Sequence, residues 1–449
     1  MGRPDPDGGM TALRRSPGWA FGQVRRHLAE AQHRSAYYLT LNNLLGAATG
    51  FLFWLLLARV GGLSPSLVGI GYTTVALGTV LGVVGKGGLD TALLQKVPGA
   101  STAEARRLLR FGVLLGSGVV VVLTALLATV ARAAGWLPEL TPVAYALVAV
   151  IAVLLVLSWL QDAYFLALGQ ARLSFRRNLA LSVCRLALPI PIIALALTNP
   201  VPLTWALALA VSALVGLASA RHIIQRAGRQ VPRRELVRSA LRNVSGGAAE
   251  FLPGLLLVPL VLALDGAEAA AFFGIAWTTA SLAFQTSGAI GRSALAQMIQ
   301  RGPVGRPSAI RKGVLEHLLV VAPLAAGMAL FAPRFLAVFG PAYAARASES
   351  LAILSVSTLA IAPISLYLAV LRTQEDSRAL LLFPAAMVVS LAVWAPLLGS
   401  RFGPNGVALA WAVSNAPFGI YATWRLRHAI QEVTPLANPA ALAGRADLE

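Results

Sequence analysis

Hydrophobic positions along the chain are grouped into long apolar segments, and short polar joins separate them. A helix needs about 20 apolar residues to cross the hydrocarbon core of a bilayer. Twelve segments approach or exceed this length: 36–60, 67–93, 108–133, 143–168, 178–198, 203–220, 245–264, 269–299, 314–338, 348–371, 379–399 and 404–424. The pattern predicts an all-α polytopic membrane protein, in which these segments are spans 1 to 12.

Two similar stretches half a chain apart indicate an internal repeat. VGIGYTTVAL begins at Val68 in span 2, and FGIAWTTASL begins at Phe273 in span 8, 205 residues later. ALLQ at 92–95 is matched by ALAQ at 294–297, at an offset of 202. Because six spans separate the copies, both enter the membrane from the same side. The chain is therefore predicted to form two pseudo-symmetric six-span lobes, 36–220 and 245–428, related by an axis along the membrane normal.

Composition and charge fit this interpretation. Charged residues make up 12% of the chain and hydrophobic residues 57%, whereas soluble domains are about a quarter charged. The formal net charge is +19, yet the joins on one side of the predicted membrane contain only two cations, Arg346 and Arg401. The join 221–244 on the other side contains seven arginines. By the positive-inside rule this asymmetry marks the cytoplasmic face, so we expect cytoplasmic termini and no nucleic-acid partner.

Three segments outside the lobes are predicted to be cytoplasmic: a basic tail (1–35), a basic linker (221–244) and a C-terminal tail (429–449). Either Met1 or Met10 could be the first residue. In the N-terminal tail, Trp19 and Phe21 stand among cations. This composition fits a helix on anionic membrane lipids equally with a solvated tail.

Six ionisable residues lie inside the predicted spans, where a charge is costly and therefore suggests a function. They are Lys86, Arg185, Arg292, Asp90, Asp162 and Glu250. Counting from the predicted helix ends at about 1.5 Å per residue places them on the cytoplasmic side, at a depth of roughly 8–11 Å.

Two interpretations of this layer stay open. The residues could form ion pairs that hold helices together, such as Asp162 with Arg185 and Glu250 with Arg292. They could instead form the mixed-charge floor of a cavity. In the second case Lys86, Arg185 and Arg292 would face an anionic substrate. The acids Asp90, Asp162 and Glu250 would then orient those cations or carry a coupling proton. Glu316 and His317 are expected to be an interfacial pair at the start of span 9.

Catalytic machinery is not indicated. The sequence has no phosphate-binding Walker A motif, and its one cysteine, Cys184, leaves no cysteine metal site. The predicted outer joins are short and offer no catalytic domain. We therefore expect no enzyme activity, no metal and no cofactor.

Several segments together resemble a known family: LNNLLGAATGFLFWLLLARV, GLDTALLQ, FGIAWTTASLAFQTSGAIGRSALAQ, FAPRFLAVFGPAYAARASESLAIL and GPNGVALAW. The chain resembles, over about 36–428, the polysaccharide-export branch of the multidrug/oligosaccharidyl-lipid/polysaccharide exporter (MOP) superfamily, which includes the O-antigen-type oligosaccharide flippases. The resemblance implies a V-shaped, MATE-like fold. It also implies that the substrate is an oligosaccharide linked to an isoprenoid pyrophosphate, moved between leaflets for cell-surface polysaccharide assembly. Lipid II flippases of the superfamily have two further helices, which this chain lacks.

Two other functions remain open. A cation-coupled drug exporter of the same fold would use a carboxylate such as Asp162 or Glu250. A non-transporting scaffold would bind other polysaccharide assembly proteins, with the linker 221–244 as its docking site.

Overall fold

The computed structural model describes residues 31–197, 199–221, 223, 227–243, 248–374 and 376–431. These residues are almost entirely helical, and their only β-bridge is an isolated one between Ala100 and Arg229. Residues 1–30 of the predicted N-terminal tail and residues 432–449 of the C-terminal tail lie outside the described ranges. The predicted all-helical membrane fold is confirmed.

The N-terminal lobe begins with span 1, which is an α-helix over Ala31–Leu55 continued by a π-helical turn over Leu56–Val60. Spans 2 to 6 follow as Pro65–Lys86, Thr102–Ala133, Pro142–Ala167, Ala171–Ala194 and Pro200–Ala220. A short helix, Leu89–Lys96, lies between spans 2 and 3. A further helix, Arg233–Asn243, follows span 6 and is called the linker helix below.

The C-terminal lobe contains two long bent helices. Ala248–Glu316 has non-helical backbone at Gly266 and Gly302, and Ser377–Gln431 has it at Gly403. Each of these glycines has a positive φ, a conformation that side chains disfavour. The bends divide the helices into span 7 (248–265), span 8 (267–301), span 11 (377–402) and span 12 (404–431). Span 9 is Val304–Leu330 and span 10 is Ser348–Gln374. Two short helices, Ala332–Ala337 and Pro341–Arg346, join spans 9 and 10.

The number of spans agrees with the hydropathy pattern. In the described part of the chain, nine helices are long and apolar enough to cross a membrane. Two of these divide at Gly266 and Gly403, which makes eleven, and the shorter apolar helix Leu45–Arg59 makes twelve. The bounds of the lobes, 36–220 and 245–428, stay predictions.

Helix starts follow local chemistry. The side chains of Ser64, Ser101 and Thr141 each accept a hydrogen bond from the backbone N–H three residues later, which satisfies a donor that a helix start leaves free. Span 5 begins at Ala171, seven residues before its predicted start at 178. The prediction ended the span at a run of polar residues, but the structure continues the helix through them, because Arg177 is neutralised inside the lobe.

The two lobes meet where the repeated motifs lie. Gly69 of span 2 approaches the backbone of Ala267 and Ala271 in span 8, and a Cβ built on Gly69 would lie 1.8 Å from the Ala267 carbonyl oxygen. Gly274 of span 8 lies against the ring of Tyr72. We call these contacts the outer seam, since they lie on the side that the charge distribution predicts to be extracytoplasmic.

Candidate functional site

The outer seam is closed by polar as well as backbone contacts. The hydroxyls of Tyr72 and Thr278 form a 2.9 Å hydrogen bond across it. The carboxylate of Glu139, in the join between spans 3 and 4, accepts a 3.2 Å hydrogen bond from the Ala267 N–H. Because Glu139 belongs to one lobe and Ala267 to the other, the contact ties the lobes together at this end of the membrane.

A stripe of polar side chains runs from the seam along span 8. Thr278, Ser281, Gln285 and Arg292 stand three, four and seven residues apart, which places them on one helix face. The Gln285 amide contacts the Ser281 hydroxyl at 3.4 Å. One guanidinium nitrogen of Arg292 folds back to 3.4 Å from a Cβ built on Gly288, so the cation points along the stripe toward the seam.

The exposure of this stripe indicates what it faces. Gln285 and Arg292 are exposed, and Gln285 lies 18 residues beyond the start of span 8 at 267, or about 27 Å at 1.5 Å per residue. That depth is within the about 30 Å hydrocarbon core. A bare amide there is costly against lipid, so we infer that the stripe faces a polar cleft between the lobes.

Span 2 carries a second polar stripe. Tyr72, Thr79 and Lys86 are spaced by seven residues and are all partly exposed, so they too lie close to one face. Lys86 bonds Asp90 at 2.5 Å and lies 5.3 Å from the centroid of the Trp159 ring. Asp90 therefore orients Lys86, one of the two roles predicted for it.

The two stripes correspond to each other in the repeat. Lys86 and Arg292 are 206 residues apart, and Gly69 and Gly274 are 205 apart. Each seam helix therefore starts at the Tyr72–Thr278 contact and carries a cation near its predicted cytoplasmic end. The pseudo-twofold relation brings one cation from each lobe to the same level.

Arg185 lies deeper in the membrane than its sequence position predicts. Since span 5 begins at Ala171, Arg185 is 14 residues, or about 21 Å, from that end. Its guanidinium stacks 3.8 Å from the centroid of the Trp205 ring, and Trp205 is five residues from the outer start of span 6 at Pro200. The expected depth of roughly 8–11 Å is therefore wrong for Arg185.

Aromatic side chains connect Arg185 to the seam. The Trp205 ring lies 5.2 Å from Phe53 and 6.3 Å from Trp54, and Trp54 stacks on Tyr72 at 4.4 Å. Arg185 is only partly exposed, and its Nε is buried without a hydrogen-bond partner in the structure. An unsatisfied buried donor is costly, so this guanidinium retains capacity to bind an anion.

Asp162 pairs with a cation that the sequence interpretation did not name. Arg177 is 2% exposed and bonds Asp162 through Nη2 at 2.5 Å and Nε at 3.2 Å. Ser174 also donates to Asp162, and Arg177 bonds Ser212 of span 6 at 3.1 Å. Asp162 thus joins spans 4, 5 and 6, and the suggested pairing of Asp162 with Arg185 is wrong.

The remaining predicted residues are placed less fully. Glu250 lies in span 7, and its side chain falls outside the described part of the structure. Its suggested pairing with Arg292 therefore stays a prediction. The ion pairs among the described residues include neither Arg185 nor Arg292.

His317 is buried, which corrects the expectation of an interfacial pair. Its Nε2 lies 3.1 Å from the Ser287 hydroxyl, and its Nδ1 lies 2.7 Å from the Gly313 carbonyl oxygen. Glu316 pairs instead with Lys312 at 3.8 Å. His317 begins a π-helical turn that turns it inward, toward spans 8 and 10.

Three participants escaped the sequence interpretation: Ser281, Trp205 and Arg177. The three-, four- and seven-residue spacing from Thr278 through Gln285 to Arg292 could have identified Ser281, because that spacing marks a helix face. Arg177 was assigned to a cytoplasmic join because of its charge. The burial that reassigns it depends on contacts with two other helices.

Solved structures of similar fold are membrane transporters. The chain superposes on an inward-facing multidrug resistance MATE family transporter of the MOP superfamily with a TM-score of 0.65 and 17% identity, covering 88% of this chain and 96% of that one. It superposes on the lipid II flippase MurJ in an inward closed conformation with a TM-score of 0.59 and 14% identity, covering 88% and 89%. An outward-facing MATE transporter gives a TM-score of 0.56 at 16% identity, covering 89% and 96%.

The chain has the fold of MOP superfamily transporters. At these identities the likeness concerns the fold alone. No protein-family model matches the sequence, and no curated protein matches it significantly. The O-antigen branch suggested by the sequence motifs therefore remains a hypothesis.

Proposed function

We propose that this protein is a secondary transporter that moves an oligosaccharide linked to an isoprenoid pyrophosphate from the inner to the outer leaflet. It would act by alternating access, in the cytoplasmic membrane of a bacterium with both termini in the cytoplasm. Its product would feed cell-surface polysaccharide assembly. On this proposal the chain performs no covalent chemistry and needs no cofactor.

The observation that carries the proposal is the pair of polar stripes on spans 2 and 8. Both start at the closed outer seam, and they end in the repeat-related cations Lys86 and Arg292. A pyrophosphate arriving from the cytoplasm would meet these cations first, and arginine and lysine both bind phosphate oxygens. The amide and hydroxyls of Gln285 and Ser281 could then hydrogen-bond a glycan.

Physical cost explains why such a substrate needs a cleft. A charged pyrophosphate and a hydroxyl-rich glycan cannot cross about 30 Å of hydrocarbon unaided. A cleft between two lobes shelters the polar headgroup, while the isoprenoid chain stays in the surrounding bilayer. Arg185, deeper in the N-terminal lobe, would attract the pyrophosphate toward the seam.

The charges argue against export of a cationic drug. The described carboxylates Asp90 and Asp162 are both neutralised, by Lys86 and Arg177 respectively. Arg185 and Arg292 have no carboxylate partner among the described residues. The uncompensated charge of the described spans is therefore positive, which favours an anionic headgroup.

The deciding experiment measures the sidedness of lipid-linked oligosaccharide in a deletion strain, with a membrane-impermeant glycan label. We expect the intermediate to accumulate facing the cytoplasm, and the wild-type gene to restore outward labelling. Arg292→Gln and Gln285→Leu should restore it at least tenfold less well. Arg311→Gln is the matched control, because Arg311 is exposed near the same end of the C-terminal lobe and is not part of the stripe.

Unchanged sidedness in the deletion strain would overturn the proposal. Increased drug sensitivity in that strain would then support drug export. Loss of complex assembly without a change in sidedness would support a scaffold.

A further inference from the structure

A cluster of arginines lies at the predicted cytoplasmic end of the N-terminal lobe. It lines two adjoining depressions of about 640 and 520 Å³ that share Phe111 and Arg233. Span 3 and the linker helix contribute Arg106, Arg107, Arg110, Arg233, Arg234 and Arg238, with Arg242 at the far end. We call this surface the arginine pocket.

The linker helix is held in place by contacts on its other face. Leu236 is fully buried, and the Ser239 hydroxyl donates a 2.8 Å hydrogen bond to the Gln95 side chain. Glu235 bonds Lys96 at 3.5 Å. The Arg233 guanidinium lies 5.3 Å from the centroid of the Phe111 ring. The pocket is therefore formed by a docked helix with a fixed register.

The positive charge of the pocket is not compensated by protein. The nearby carboxylates are already paired, Glu104 with Arg107 at 3.6 Å and Glu235 with Lys96. Within the described part of the chain, four arginines of the pocket make no ion pair: Arg110, Arg234, Arg238 and Arg242. Like charges held this close repel one another, so a bound anion would stabilise the arrangement.

Apolar side chains continue from the pocket toward the membrane. Leu241 at one edge is 70% exposed and Leu114 at the other is 73% exposed. Farther along span 3, Val122 and Leu126 are exposed as well. Because span 3 crosses the membrane, this exposed face meets acyl chains. The pocket thus has a charged end at the membrane surface and an apolar end in the bilayer.

We propose that the arginine pocket binds the headgroup of an anionic phospholipid of the cytoplasmic leaflet. The guanidinium groups hold the phosphate in forked hydrogen bonds, and the acyl chains lie along Leu114 and the outer face of span 3. The bound lipid joins the linker helix to span 3. This site is separate from the polar stripes and does not depend on the transport function proposed above.

The test uses the full-length protein, delipidated in detergent and titrated with dioleoyl phosphatidylglycerol or dioleoyl phosphatidylcholine while native mass spectrometry counts bound lipids. We expect one phosphatidylglycerol to bind at least tenfold more tightly than phosphatidylcholine. Arg110→Gln/Arg238→Gln should abolish that preference. The control Arg311→Gln/Arg427→Gln removes the same charge from exposed positions of the C-terminal lobe and should retain it.

A second pocket variant, Arg234→Gln/Arg242→Gln, guards against a folding defect, and each variant is first checked for an unchanged melting temperature. An equal loss in the pocket and control variants would mean that only general surface charge acts, and would overturn the proposal. Unchanged phosphatidylglycerol binding in both pocket variants would also overturn it, leaving an acidic protein segment as the alternative occupant. Displacement of the lipid by millimolar inorganic phosphate would identify a soluble anion site instead.

Discussion

The hydroxyls of Tyr72 and Thr278 lie 2.9 Å apart and join the two copies of the repeated motif. Tyr72 belongs to GIGYTT in span 2, and Thr278 belongs to GIAWTT in span 8. Since both motifs stand next to the pseudo-twofold axis, each copy packs against the other. The similarity between them is thus a similarity between two halves of one interface.

Removing this hydrogen bond should loosen the outer seam. Tyr72→Phe keeps the ring that stacks on Trp54 but loses the bond, which contributes about 1 kcal/mol. That change corresponds to about a fivefold shift toward the open seam. In a Cys184→Ala background, Thr74→Cys should react faster with an impermeant maleimide added from outside.

Thr278→Val is the partner variant in a double-mutant cycle. If the bond matters, Tyr72→Phe and Thr278→Val together should have no more effect than either alone. Additive effects of the two changes would contradict the role given to this bond.

Close backbone approach should make Gly69 intolerant of any side chain. Gly69→Val would place a Cβ 1.8 Å from the Ala267 carbonyl oxygen, and backbone cannot move aside as a flexible side chain can. We expect a seam that no longer closes, with loss of transport and greater maleimide labelling from outside. Gly118→Val is the control, because a Cβ there has no neighbour within 4 Å. Normal transport by Gly69→Val would contradict the seam geometry.

The buried pair of Arg177 and Asp162 should be required for stability. Breaking a buried ion pair by removing one partner costs about 3–5 kcal/mol, so Arg177→Gln should lower the apparent melting temperature in detergent by several degrees. Arg176→Gln, at the exposed neighbouring position, should have little effect. Adding Asp162→Asn to Arg177→Gln should recover part of the loss, since it removes the stranded carboxylate.

Arg185 should act on transport through its shape as well as its charge. Arg185→Gln removes the cation, and we expect at least a tenfold fall in oligosaccharide translocation. Arg185→Lys keeps the charge but loses the planar group that stacks on Trp205, so an intermediate rate is expected. Exposed Arg132 near the outer end of span 3 supplies the control Arg132→Gln. Equal rates for Arg185→Gln and the control would remove Arg185 from the substrate path.

The sequence by itself determined the membrane fold, the twelve spans and the twofold repeat. Each of these depends on local hydropathy or on similarity along the chain, because the bilayer requires about 20 apolar residues wherever a helix crosses it. It also located Lys86, Arg292 and Gln285 as polar groups within apolar segments. Those assignments need no knowledge of neighbouring helices.

Only the tertiary structure decided which side chains meet. Asp162 pairs with Arg177 rather than Arg185, and His317 points inward to Ser287. Arg185 stacks on Trp205 near the outer end of its lobe. An ion pair or a stacked ring joins residues whose helices are adjacent in space, and neither the rotation nor the exact start of a helix is specified by composition. A shift of seven residues at the start of span 5 moved Arg185 by about 10 Å along the membrane normal, and the neighbouring helices determine that shift.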